Sequence, residues 1–125
     1  MTNVGSNLSF KQDKHCPFCK IVRKEAFAKI LYNDSDILAF EDINPQAPYH
    51  ILVIPKKHIA SFLEISSQDT ELVGKIHQVI KKIAKEKNFK RGFRVVVNCG
   101  PDAGQSIDHL HFHLLAGREF DWPPG

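Results

Sequence analysis

The stretch His109-Leu110-His111-Phe112-His113-Leu114-Leu115 puts an imidazole at every second position and an apolar side chain between them. In a β-strand alternate residues share a face, so this spacing predicts a strand whose imidazoles stand in one row while Leu110, Phe112 and Leu114 enter a core. The row is expected to face a cleft or solvent. Three of the chain's seven histidines fall in this run, so it concentrates the chain's near-neutral titrating groups.

Moving upstream, Asn98 to Asp108 carries Gly100, Pro101 and Gly104 and reads as a loop, and the β-branched residues 94–97 before it read as another strand. Between residues 66 and 88 the apolar positions Leu72, Ile76, Val79, Ile80 and Ile83 recur at helical spacing, with Lys75, Lys81, Lys82 and Lys85 on the other side. The apolar run 51–54 reads as a buried strand behind a loop broken by Pro45 and Pro48. Residues 29–32 and 37–40 form a predicted hairpin around Asn33-Asp34-Ser35-Asp36. Pro17 suits a first helical turn, and Phe18, Ile21 and Val22 share one face of a short helix. The expectation is an α+β fold in a single domain, with a mainly antiparallel sheet of five strands, one long helix and a short N-terminal helix. A polar, flexible arm is expected over residues 1–14, and the folded domain over 15–125.

Composition narrows the function. The chain has 125 residues, 42% hydrophobic and 25% charged, which is ordinary for one soluble globular domain. A net charge of +3 spread over scattered lysines does not make the footprint of a nucleic-acid binder, but leaves room for a small anion. No apolar run approaches a membrane span or a secretory signal, so a cytoplasmic home, extended to the nucleus in a eukaryote, is the default. Three cysteines, with Cys16 and Cys19 as a Cys-x-x-Cys pair, read as metal binding or redox chemistry rather than a disulfide framework.

A strand advances about 3.3 Å per residue, which separates the Cβ atoms of His109 and His113 by about 13 Å. Anchors so far apart do not converge on one ion that needs ring nitrogens about 2 Å away. Neighbouring pairs could still share a metal, and the remaining histidine would then be a nucleophile or acid-base candidate. Beside the row, the glycines of 100–106 let backbone N–H groups turn toward one point, and Gln105 and Ser106 add side-chain donors, a combination suited to a phosphate.

The segment from Gly104 to Leu115 resembles the signature of the histidine-triad (HIT) superfamily, His-x-His-x-His-x-x with apolar x. The ending Trp122-Pro123-Pro124-Gly125, the run Pro45-Gln46-Ala47-Pro48-Tyr49-His50, and Ile54-Pro55-Lys56-Lys57-His58 are similar to its Hint branch, the purine nucleoside phosphoramidases. The similarity runs from about Cys16 to the last residue. It implies hydrolysis of purine nucleoside 5′-phosphoramidates through a nucleotidyl-histidine on His111. By the same resemblance His113 contacts a phosphate oxygen, Ser106 donates to the leaving amine and Gln105 contacts phosphate oxygens. Asp42 matches the ribose contact, although an Asp there also suits a loop cap. Phe18, Ile21, Phe40 and Ile43 match the wall around the base, Asn98 a sugar or phosphate contact, and Gly104 the phosphate loop. The cysteine pair resembles zinc-holding members, which implies a structural Zn²⁺ on Cys16, Cys19, His50 and His109, with His15 as a rival fourth ligand and no organic cofactor. The resemblance also implies a homodimer. Cleavage of dinucleoside polyphosphates, and nucleotide binding or scaffolding with incidental turnover, are the alternative functions.

Overall fold

Strand pairing organises the chain in a computed structural model that describes residues 10–125. Five antiparallel strands, β1 (Ile30–Asn33), β2 (Ile37–Glu41), β3 (Tyr49–Pro55), β4 (Arg94–Val96) and β5 (Phe112–Ala116), lie in the order β1-β2-β3-β5-β4. The Asn33 to Asp36 turn joins β1 to β2 because the Asp34 carboxylate accepts from the Asp36 and Ile37 N–H groups at 2.8 and 2.7 Å. This is the hairpin expected of those residues. Central β3 pairs Leu52 with His113 and Val53 with Phe112.

Period-two alternation divides the side chains between two layers. Ile37, Ala39, Ile51, Val53, Phe112 and Leu114 meet Ile76, Val79, Ile80 and Ile83 of the long helix α2 (Thr70–Glu86), whose expected lysine face is exposed. Burying each of those four helix side chains contributes about 1.5–3 kcal/mol. Before α2, residues Ser67–Asp69 form one 3₁₀ turn, closed by a capping box between Ser66 and Asp69. On the opposite face of the sheet, Leu38, Phe40, Leu52 and Ile54 pack against Phe18 and Cys19 of the short helix α1 (Pro17–Val22). Pro17 occupies its first turn, and the Cys16 side chain caps it by accepting from the Cys19 N–H at 3.3 Å.

One expectation needs correction. The strand expected from His109 begins at Phe112: the Leu110 N–H donates to Ile59 O and the His109 N–H to Ile107 O, so 109–111 enter the sheet through a bend. His109 is therefore wholly buried rather than facing a cleft. Within the expected arm, the Lys11 carbonyl accepts from the His58 N–H, and the Arg23 guanidinium donates to the carbonyls of Asp13 and Lys14 at 3.1 and 3.2 Å. The earlier part of that arm, residues 1–9, lies outside the described residues.

Candidate active site and metal cluster

The bend before β5 sends successive histidines to different places. His109 points at the cysteine pair: its Nδ1 is 3.3 Å from Cys16 Sγ, 3.6 Å from Cys19 Sγ and 3.3 Å from His58 Nδ1. His58 Nδ1 is 3.4 Å from Cys19 Sγ. All four residues are buried, and their ligand atoms lie within 4.8 Å of one another. A tetrahedral ion with bonds of about 2.3 Å to sulfur and about 2.05 Å to nitrogen has S···N edges of about 3.6 Å and an N···N edge of about 3.3 Å. The observed edges match these. His109 Nε2 donates to Pro55 O at 2.8 Å, which leaves the neutral ring's lone pair on Nδ1, aimed into the cluster. Burial pushes the Cys19 thiol up to about 12 and His109 down to about 4, so a Cys19 thiolate is favoured here only beside a cation. The donor set fits a closed, four-coordinate structural zinc.

His50, the expected fourth ligand, stands elsewhere. It opens β3 opposite Leu115, whereas the cysteine pair lies at the other end of that strand, beyond Pro55, where His58 follows. The rival His15 is exposed, and its backbone N–H donates to Asp13 Oδ1 at 2.8 Å. His50 instead joins the end of the ladder. Its Nδ1 accepts from the Gln46 N–H at 3.0 Å, so the neutral ring carries its proton on Nε2, 2.9 Å from His113 Nδ1 and 3.4 Å from Asp42 Oδ2. His113 then accepts at Nδ1 and keeps Nε2–H as a donor. Burial, reinforced by His111 and His50, pushes His113 down to about 4, so it is neutral at pH 7.

Between these rings, His111 Nδ1 donates to the His109 carbonyl at 2.6 Å, leaving the Nε2 lone pair free. The ring stands edge-on to Phe18, with centroids 5.2 Å apart. His111 and His113 border a cavity of about 400 Å³, together with Phe18, Ile21, Phe40, Asp42, Ile43 and Ser106. A larger groove of about 670 Å³ lies among Tyr49, Phe89 and Arg118 and has no histidine in its lining.

Most of the expected nucleotide contacts thus meet at one cavity, and three do not. Asn98, Gly104 and Gln105 are absent from its lining. The Gln105 carboxamide is engaged within the protein: Oε1 accepts from the Gly100 N–H at 3.0 Å, and Nε2 donates to Ala60 O at 2.8 Å and Ile107 O at 3.0 Å. It braces the loop, which bends through Gly100 and Gly104 at φ of 87° and 84°, a region open to glycine. Asp42 borders the cavity and also caps its own loop, accepting from the Asn44 N–H at 2.8 Å. Sequence reasoning gave no role to His58, and passed over Lys20, Phe27 and Leu52 of the cavity wall.

The family model described as "Scavenger mRNA decapping enzyme C-term binding" matches residues 15–120. An uncharacterized HIT-like protein of Synechococcus elongatus is 49% identical over 108 residues, covering 86% of this chain and 95% of that protein. A 14 kDa zinc-binding protein of Zea mays is 44% identical over 110 residues, 86% of each chain. Among solved structures, a HIT family hydrolase from Legionella pneumophila superposes with a TM-score of 0.87 at 46% identity, covering 89% of this chain and 100% of that one. A histidine triad protein from Clostridium difficile does so at 0.85 and 50%, covering 88% and 96%.

Proposed function

Because this chain belongs to the histidine-triad superfamily, whose solved hydrolases share its fold, we propose that it hydrolyses purine nucleoside 5′-phosphoramidates through a covalent nucleotidyl-histidine. The observation that carries this reading is the His111 tautomer, fixed by the His109 carbonyl so that Nε2 bears the free lone pair on a ring bordering the cavity. His111 Nε2 attacks the α-phosphorus, the N–P bond forms, and the bond to the leaving amine breaks as the amine takes a proton. Water then attacks the same phosphorus, releasing the monophosphate and restoring the neutral ring. In this reading His113 Nε2–H donates to a non-bridging oxygen and the Ser106 hydroxyl to the departing nitrogen. Zinc on Cys16, Cys19, His58 and His109 is structural in this reading and holds the segment that positions His111.

Turnover of adenosine 5′-phosphoramidate, compared with a diadenosine polyphosphate, tests the substrate class. Faster cleavage of the polyphosphate would move the chain to a different branch of the superfamily. His111→Ala should abolish phosphoramidate turnover while keeping the fold and nucleotide binding. Residual turnover above about a hundredth of wild type, a loss of only about 2.7 kcal/mol, refutes the covalent role.

A further inference from the structure

We infer that Phe27 is the specificity-determining residue of the cavity, stacking on the outer face of a bound base so that purine nucleotides are favoured over pyrimidine ones. The inference rests on the nucleotide reading above.

The cavity has a dry floor and an exposed rim. Phe18, Phe40 and Leu52 form the floor and are at most 8% exposed. At the rim, Phe27 and Ile43 are 93% and 97% exposed, yet both line the same cavity. The other exposed phenylalanines, Phe62 and Phe93, keep about half of their surface covered, at 48% and 46% exposure. Single exposed apolar groups are common, but two nearly bare ones at one ligand-sized mouth form an unfilled contact surface.

Phe27 does not hang from a loose loop. The Glu25 N–H donates to Lys20 O at 2.8 Å and the Lys24 N–H to Ile21 O at 3.0 Å, with Lys24 held at a φ of 63°. The Arg23 side chain, 9% exposed, grips the Glu25 carboxylate at 2.9 Å as well as the carbonyls of Asp13 and Lys14. At the far end, the Glu41 N–H donates to Lys29 O at 3.0 Å. Both ends of the loop are fixed, so stacking has to order the Phe27 side chain but little of its backbone. Ala26 and Ala28, flanking Phe27, line the cavity with small side chains that leave room for a flat ring.

An aromatic stack works on any base but grows with the π-face it covers, so it favours the two-ring purine over the one-ring pyrimidine. Calorimetric titration of the zinc-loaded full chain with adenosine and cytidine 5′-monophosphates tests this. Losing such a stack weakens binding by about tenfold or more. In Phe27→Ala the adenosine Kd should rise by about tenfold and the cytidine Kd by about threefold or less, narrowing the ratio between them. Phe27→Trp should hold the adenosine Kd within about threefold of wild type. KM for adenosine 5′-phosphoramidate should follow the Kd, with kcat moving much less. Wild-type adenosine affinity in Phe27→Ala, an equal loss of both nucleotides, or failure of Phe27→Trp to restore binding overturns the inference while leaving the hydrolase reading in place. A wild-type chain that binds neither monophosphate would overturn both.

Discussion

Gln105→Ala separates a brace from a substrate contact. The carboxamide makes three hydrogen bonds, to the Gly100 N–H, Ala60 O and Ile107 O, and reaches 45 residues back along the chain to do so. Each such bond contributes about 0.5–1.5 kcal/mol net, for a sum of about 1.5–4.5 kcal/mol. All three sites are only partly buried, so water replaces part of what is lost and about 2 kcal/mol is the fitting expectation. For a domain of this size that lowers Tm by roughly 6–10 °C. Thermal unfolding by circular dichroism reads the shift, and kcat/KM measured well below the new midpoint reads the chemistry. The expected result is a large loss of stability with a modest loss of kcat/KM. A Tm within about 1 °C of wild type, combined with a hundredfold loss in kcat/KM, would refute the brace and restore Gln105 to the phosphate.

Freshly purified protein should carry about one zinc per chain by elemental analysis; His58→Ala should lose it and His50→Ala should keep it, and the reverse pattern contradicts the ligand set drawn above. A homodimer is expected through the long helix and the edge strand β4, where Val95 is 40% exposed and Phe93 just ahead of the strand 46% exposed, and a monomer mass by light scattering at micromolar concentration contradicts it. Burial holds His113 at about 4 in the folded chain against a usual value near 6.5, so its neutral form is the stabilised one. That contribution is complete above about pH 6.5 and is lost as pH falls through about 4, because the unfolded chain takes up the proton first. Urea midpoints should therefore fall from pH 6.5 to pH 4.5, and His113→Gln should flatten the slope; an unchanged slope in that variant refutes the assignment.

The architecture was legible because it rests on periodicity. An unbroken apolar run at 51–54 and helical spacing from Leu72 to Ile83 mark the buried strand and the inner face of the long helix, and turn chemistry at Asp34 and Pro45 settles where the chain reverses. The cavity wall was not read from periodicity: the resemblance matched Phe18, Ile21, Phe40 and Ile43 to the wall around the base, while helical spacing marked only the shared face of Phe18 and Ile21. The brace that Gln105 makes was not legible because its Ala60 partner lies far away in sequence. A carboxamide beside two glycines looks like a phosphate donor until the chain brings the Ala60 carbonyl within 2.8 Å of it.

The substitution of His58 for His50 in the metal cluster follows from the same limit of periodicity. Alternation fixes the face a residue takes, but not the end of the strand at which it meets its partners. The β3–β5 register pairs Leu52 with His113 and Val53 with Phe112, so extending it toward His109 runs past Pro55, while His50 stays beside His113. Two histidines eight positions apart thereby serve opposite ends of one ladder. A separate protein group fixes each ladder ring: Pro55 O holds His109 Nε2, His109 O holds His111 Nδ1, and His50 Nε2 holds His113 Nδ1. Every ring is left with one nitrogen in a defined state: a lone pair on His109 aimed at the thiols, a lone pair on His111, and an N–H on His113. Three identical side chains acquire three different chemistries because the backbone carbonyls and His50 assign the protons, which a repeating His-x-His-x-His pattern does not itself encode.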